Sequence, residues 1–503
     1  MSTRLRQIRS IATVLGLSLF TIVAIASRPQ ATAESSTPIA ARDTLPSWLA
    51  TVANGPLSRA HWGVAVYDIE GERWVALHNA DQFFVPASNL KLVVSAVALE
   101  RLGPDFTYRT TVYATRPIGS DGTLNGDLVL YGRGDPNLSG RHAPTMTAIF
   151  EWLADSLVKR GLKRVTGDLI ADESHWDNEY HHRDWSGFDQ MWWYAAPVGA
   201  LGFNDNSIDV SIRPGPRVGV PPLIETRPQS PFYTLDNHAV TGARGTESTF
   251  DMKREPGSNR ITAFGALPLD ERPETAYVAV VGAADYSATT FRSVLVNRGI
   301  QIEGRVRTVS DPLASPVWSG DSIALANHRS TPMASVLESI NGRSQNWHAE
   351  QVLKTLGREI AGAGTWKAGL EVERETLAQL GMDTTAFLLR DASGLSPANL
   401  TTPRALAELL TTMRSRPDGD VFERTLSVAG QSGSLKGRFR GSAAQGRVRA
   451  KTGFIANVYA LSGYMTTVSG REYAFSVFVN GAGSRANPAI DRLVEGFILG
   501  WAP

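Results

Sequence analysis

No cysteine occurs anywhere in the 503 residues. That excludes disulfides, a lipid anchor on cysteine, and a structural zinc site built on thiolates. An excess of one charge is also missing: 50 Lys and Arg stand against 49 Asp and Glu, a net charge of +1. The balance gives no basis for a nucleic-acid partner, and none is expected. There are no internal repeats and no low-complexity segments. The apolar stretch "IATVLGLSLFTIVAIA", residues 11–26, falls short of the ~20 residues of a bilayer-spanning helix.

That stretch belongs to a leader. Arg4, Arg6 and Arg9 precede it without an acid, and small-x-small sites follow at residues 24–26 and 31–33. The three-part pattern predicts a secretory signal peptide over residues 1–33, with an uncleaved anchor as the alternative. In either case the body of the chain is exported. A long exported chain without cysteine suits a bacterial periplasm or cell-wall space, and loose association with the membrane is compatible with the leader.

The mature part has ordinary globular composition, 42% hydrophobic and 20% charged, and is long enough for several domains. "WGVAVYDIEGERWVALHNAD" alternates around Glu70-Gly71 and predicts a strand–turn–strand hairpin. "FFVPASNLKLVVSAVALERLG" predicts a helix opened by Pro86 and ended by Gly103. Leu90, Val93, Val94, Val97 and Ala98 form its apolar face, and Ser88 lies in its first turn. Residues 106–320 are richer in turns and short β patterns, with a Pro- and Gly-rich portion at 213–268. Helical patterns return after residue 325, and the end reads as a meander closed by a helix. The expected organisation is an α/β (α+β) unit from residues 39–105 and 321–503. An inserted domain would come from residues 106–212 and 269–320, with a small β-rich module at 213–268 nested within it.

Three short patterns carry chemistry. Ser88 and Lys91 stand three apart, neighbours on one helix face. A buried lysine there can lose its proton and serve as general base for the serine. Ser344-Gln345-Asn346 offers a hydroxyl and an amide to one cleft, although a loop or helix cap explains it equally well. Lys451-Thr452-Gly453 places a cation and a hydroxyl on a strand, and glycine leaves room for a substrate along it. Each is weak alone. Together, and in this order, they are the Ser-x-x-Lys, Ser-x-Asn and Lys-Thr-Gly set of β-lactamases and penicillin-binding proteins.

Longer blocks sharpen this: "GRGDPNLS", "APVGALGFNDNSIDV", "DNHAVTG", "RDASGLSPANLTTP" and "GSLKGRFRGSAAQGRVRAKTG". With them the chain resembles the D-alanyl-D-alanine carboxypeptidase/endopeptidase family of class C low-molecular-mass penicillin-binding proteins (peptidase family S13, DacB-like). The resemblance covers essentially the whole mature chain. It implies a penicillin-binding-protein/serine β-lactamase-like transpeptidase domain with large β-rich insertions. About 250 residues separate Lys91 from Ser344, a length that β-lactamases do not accommodate.

The resemblance also implies roles. Ser88 would be the acylated nucleophile and Lys91 its base. Ser344 and Lys451 would relay a proton to the leaving D-alanine. Asn346 would bind the substrate amide, and Thr452 and Gly453 its carboxylate end. The backbone N–H groups of Ser88 and Phe454 would form the oxyanion hole. Peptidoglycan stem peptides and cross-links would be the substrates, β-lactams the covalent inhibitors, and no cofactor or metal is implied. Two positions depart from the family pattern: Phe454, where relatives usually carry Thr or Ser, and Pro397, where many carry Arg. They put stem-peptide side-chain recognition in doubt.

Other features read as structural. His175, His181 and His182 match no zinc signature and are expected on a polar surface loop. Arg133-Gly134-Asp135 reads as a turn, as do Asp391 and Ser393, which lie in no Gly-x-Ser-x-Gly elbow. The Trp-rich stretch from Trp176 to Tyr194 is expected to pack beneath the insert, with a glycan or peptide groove as the alternative. Two other readings remain: a β-lactamase or esterase, disfavoured by the insert and the lack of a deacylating Glu motif, and a non-catalytic peptidoglycan-binding scaffold.

Overall fold

The computed structural model describes residues 46–483 and 486–501. The leader pattern at residues 1–33 lies outside them. No helix among the described residues is long and apolar enough to cross a membrane.

A six-stranded antiparallel sheet organises one part of the molecule. Its order is Arg73–His78, His61–Asp68, Glu472–Asn480, Val458–Thr466, Val448–Ile455 and Ser427–Val428. The expected hairpin around Glu70-Gly71 is therefore joined by the C-terminal meander. The two central strands are buried along nearly their whole length, so alternation selects a covering layer and not solvent. Ala460, Tyr464, Ala474 and Phe478 face a helical layer. Leu461, Met465, Phe475 and Val477 face the C-terminal helix Ala486–Ile498.

The helical layer holds Lys91–Leu102, Met333–Arg343, Asn346–Ala361, Trp366–Gln379 and Pro403–Arg414. Pro403 at the first helical position and a Thr402 side-chain cap start the last of these. The first differs from expectation in two ways. Residues 87–90 form a tight 3-10 turn, so Ser88 precedes the α-helix proper, which begins at Lys91. The helix is also buried on every side from Lys91 to Leu99, not along one stripe. Its Ala and Val content marks an internal helix once its neighbours are known.

The intervening chain builds a second region. A five-stranded mixed sheet runs Val306–Val309, Leu169–Asp172, Leu128–Tyr131, Arg109–Ala114, Ile323–Arg329. Helices Ala148–Lys159 and Ala283–Asn297 cover it. Because Ile323–Arg329 pairs with Arg109–Ala114, the chain leaves this sheet only at Arg329, several residues beyond 321. Within residues 213–268, Leu223–Arg227 pairs back onto Ser207–Arg213, and Thr234–Asn237, Arg260–Phe264 and Asp251–Arg254 form their own sheet.

Candidate active site

Ser88 sits on the turn between the sheet and its buried helix. Ala87 holds a positive φ of 46°, and Gly394 explains how the turn is seated. A Cβ at Gly394 would lie 1.9 Å from the Ala87 carbonyl oxygen, and its φ is +77°. Only glycine serves at that contact. Gly453 plays the same part from the sheet: an added Cβ would meet the Pro86 carbonyl oxygen and Asn89 Nδ2, each at 2.8 Å. Asn89 Nδ2 also donates to the Lys451 carbonyl at 3.2 Å. The serine turn is thus clamped between the loop at 391–394 and the Lys451 strand.

Lys91 is fully buried. Its Nζ lies 2.8 Å from Ser88 Oγ, 2.8 Å from Asn346 Oδ1 and 2.5 Å from the Ser393 carbonyl oxygen. Burial lowers its pKa to about 7, while the negative charges of Glu350 and Asp391 resist the fall. Proton counting then assigns the contacts. A neutral amine has two N–H bonds and one lone pair. The Asn346 and Ser393 oxygens can only accept, so the lone pair is left for the Ser88 hydroxyl.

Across the cleft, Lys451 Nζ donates to Ser344 Oγ at 2.8 Å and to the Thr452 carbonyl at 2.7 Å. Lys451 is likewise buried, and desolvation with repulsion from Lys91 pushes its pKa well down. Ser344 occupies the left-handed position that ends Met333–Arg343 (φ 61°), and Asn346 opens the next helix. The break turns both side chains inward. Asn346 Nδ2 donates to the Tyr194 carbonyl at 2.8 Å, which leaves its oxygen aimed at Lys91. Thr452 Oγ1 donates to Ser434 Oγ at 2.8 Å. Phe454 is exposed at the strand end, its ring 5.1 Å from that of Tyr459. Pro397 is exposed as well.

All three motifs therefore meet. Three features escaped the sequence reading. The 391–394 loop, read as a structural turn, is one, but its Ser393 carbonyl touches Lys91. Asp391 secures that loop by accepting from the N–H groups of Gly394 at 2.8 Å and Ser396 at 2.7 Å. Glu350, fully buried, accepts from Ser393 N at 2.7 Å and Ala392 N at 3.2 Å, and from Trp366 Nε1 at 2.8 Å. Burial beside Asp391 pushes its pKa up. Ser434 is the third, in a block quoted only for resemblance.

The histidines are a correction. His175 and His182 are buried, not on a surface loop. His175 Nδ1 lies 3.0 Å from the Tyr131 hydroxyl, and His182 meets Trp366 edge-on at 5.6 Å. Trp185 is also buried, and its Nε1 donates to Asp391 at 2.9 Å. Asp135 is buried too, and residues 133–135 are irregular backbone leading into a turn at 136–137. Among the described residues no group of three or more His, Asp or Glu is arranged to hold a metal ion.

A sequence profile of the D-Ala-D-Ala carboxypeptidase 3 (S13) family matches residues 48–498. The chain belongs to this family. It is 37% identical over 444 residues to a D-alanyl-D-alanine carboxypeptidase of Actinomadura sp. (strain R39), covering 86% of this chain and 80% of the relative. It is 25% identical to the D-alanyl-D-alanine carboxypeptidase DacB of Haemophilus influenzae, covering 83% of this chain and 85% of that one. The fold matches the crystal structure of penicillin binding protein 4 (dacB) from H. influenzae, with TM-score 0.77 and 23% identity over 89% of this chain and 98% of that one. A second structure of that protein, complexed with a β-lactam, matches with TM-score 0.73 and 22% identity over 90% of this chain and 99% of that one. The fold is thus the α+β penicillin-binding fold with additional β-rich regions, and the chain is an enzyme of the D-Ala-D-Ala carboxypeptidase class.

Proposed function

We propose that the protein is a serine-type peptidase that removes the terminal D-alanine of peptidoglycan stem peptides through an acyl-enzyme on Ser88. The observation that carries this is the Lys91 contact set: a buried amine near neutrality whose free lone pair meets Ser88 Oγ at 2.8 Å. In the first step Lys91 takes the Ser88 proton as Oγ bonds to the penultimate D-alanine carbonyl carbon. The backbone N–H groups of Ser88 and Phe454 would receive the oxyanion. The C–N bond then breaks, and the leaving amine takes up the proton that Lys91 removed from Ser88, relayed by Ser344 and Lys451, which returns Lys91 to its neutral form. Lys91 then takes a proton from water as that water attacks the ester carbonyl, and gives it to Ser88 Oγ as the ester C–O bond breaks. The terminal carboxylate lies against Thr452, Ser434 and the Lys451 amine. Asn346 holds both Lys91 and the substrate amide.

Glu350 enters as a positioning residue. Its carboxylate fixes the two N–H groups of the loop whose next carbonyl accepts from Lys91. The catalytic unit on this reading combines residues up to about 105 with those from about 330 onward, since Ile323–Arg329 still belongs to the inserted sheet. The leader supports export to a periplasm or cell-wall space.

The test is incubation of the purified protein with muropeptides, products being resolved by mass. Loss of one D-alanine from pentapeptide ends is expected. Conversion of cross-linked dimers to monomers would add endopeptidase activity on D-Ala–diaminopimelate bonds. A labelled penicillin should attach to Ser88. Rapid hydrolysis of that penicillin in place of a lasting adduct would point to a β-lactamase, and no attachment in folded protein would point to a scaffold.

A further inference from the structure

Away from the serine cleft, a groove of about 390 Å³ opens where the inserted region meets the helical layer. Trp152, on helix Ala148–Lys159, stands 49% exposed along it and meets the His328 ring edge-on at 5.9 Å. Asn137 lines the same groove. It is only 1% exposed, yet neither its Oδ1 nor its Nδ2 has a hydrogen-bond partner among the described residues. Thr331 Oγ1, also lining the groove, is buried without a partner. A buried amide with both ends unmet is costly unless something else completes it.

The remaining lining is suited to an uncharged ligand. Burial lowers the pKa of both His142 and His328, which keeps the imidazoles neutral as donors, acceptors and flat surfaces. Arg329 of the rim is exposed and adds one positive charge. An exposed indole, a neutral imidazole and an unmet carboxamide are the complement of an N-acetylated sugar. The ring's C–H face stacks on the indole, and the Asn137 carboxamide, shut off from the groove as it stands, would turn outward to give the acetamido group one donor and one acceptor.

Position supports the same ligand. His142 Nε2 lies 3.3 Å from Ser339 Oγ on helix Met333–Arg343. The groove residues Ser330 and Thr331 stand just before that helix, and Ser344 stands just after it. An eleven-residue helix spans about 16 Å. A stem peptide of about five extended residues reaches about the same distance.

We propose that this groove binds an N-acetylated amino-sugar unit of the glycan strand whose stem peptide enters the Ser88 cleft. The inference rests on the peptidoglycan reading for its biology but not for its test. The probe is an N-acetylglucosamine oligomer, with the de-acetylated glucosamine oligomer as control. Binding is read by Trp fluorescence and by isothermal titration on the full mature chain. Saturable binding of the acetylated oligomer is expected, with weaker binding of the control. Trp152→Ala and His328→Ala should each weaken it by roughly tenfold. In the same preparations, Trp152→Ala should slow D-alanine release from polymeric peptidoglycan and leave hydrolysis of a free D-Ala-D-Ala peptide unchanged. No binding by the unaltered protein, or equal binding by Trp152→Ala, overturns the proposal. Failure to hydrolyse the free peptide would overturn the peptidase reading and leave the sugar result standing.

Discussion

Lys91 Nζ lies 2.8 Å from Ser88 Oγ and is held there by two oxygens that can only accept, Asn346 Oδ1 and the Ser393 carbonyl. That arrangement makes the amine a base only when neutral. Lys91→Ala should reduce acylation by roughly 10²–10⁴, the usual worth of a general base. The fold should survive, because the change removes a buried ionisable group and adds none. Labelling with a reporter penicillin, beside circular dichroism, checks both parts. Normal labelling would displace Lys91 from the role.

The pH dependence follows with a definite sign. The pKa of Lys91 is lowered to about 7, so the neutral form dominates above that value and the cation below it. Acylation should rise with pH through about 7 and then level off. Stopped-flow acylation by a chromogenic β-lactam gives the profile. A rate that stays flat from pH 5 to 9 would contradict the assignment.

Glu350→Gln should move that rising limb to lower pH. The Glu350 charge raises the pKa of Lys91 against the effect of burial, and removing it lets the value fall further. The other groups in range stay in place: Asp391 and Lys451 beside Lys91, and Asp391, Glu373 and Lys354 beside Glu350. Glutamine can still accept one bond from the Ser393 N–H, so the loop should hold. A purely structural residue would lower the whole profile without moving its midpoint.

Gly394→Ala should both destabilise the protein and slow acylation. The added methyl would overlap the Ala87 carbonyl, at a φ where side chains are strained. About 1–3 kcal/mol of stability should be lost. The turn carrying Ser88 is what must shift to relieve the clash. Thermal unfolding and penicillin labelling measure the two effects together. Unchanged labelling would mean that the loop yields and the serine turn does not.

Much of the site was legible because its parts are short and ordered along the chain. Ser88, Lys91, Ser344, Asn346, Lys451 and Thr452 fall in three motifs whose order is itself informative. What escaped works through backbone or through burial. The Ser393 carbonyl has no residue type to read, and Glu350 looks like any helical glutamate until the loop packs on it. The same blindness affected the first helix. An Ala- and Val-rich segment shows one apolar face in projection, and only its neighbours reveal that every face is covered. The buried histidines were misplaced for a related reason. A stretch dense in His, Asp and Tyr reads as solvated, yet its tryptophans carry it inward, where Trp185 pairs with Asp391. The five-stranded sheet was the least legible element, since its edge strand Ile323–Arg329 returns from far along the sequence.

Ser434→Ala separates binding from chemistry at the carboxylate end. Ser434 is exposed, and its Oγ accepts from Thr452 Oγ1 at 2.8 Å. It also lies 3.2 Å from Ser427 Oγ, whose own oxygen contacts the helical layer through the Gly342 carbonyl at 3.1 Å. The pair therefore fixes which way the Thr452 hydroxyl points before substrate arrives. Loss of the partner frees that rotor and removes one donor to a carboxylate, an interaction worth about 1.5–3 kcal/mol when one member is charged. The carboxylate is bound equally in ground and transition states, because charge changes at the carbonyl and not there. KM for a D-Ala-D-Ala peptide should rise by roughly 10- to 150-fold with kcat nearly unchanged. Steady-state kinetics decide it. A fall in kcat at constant KM would instead place Ser434 in the proton path between Ser344 and the leaving amine.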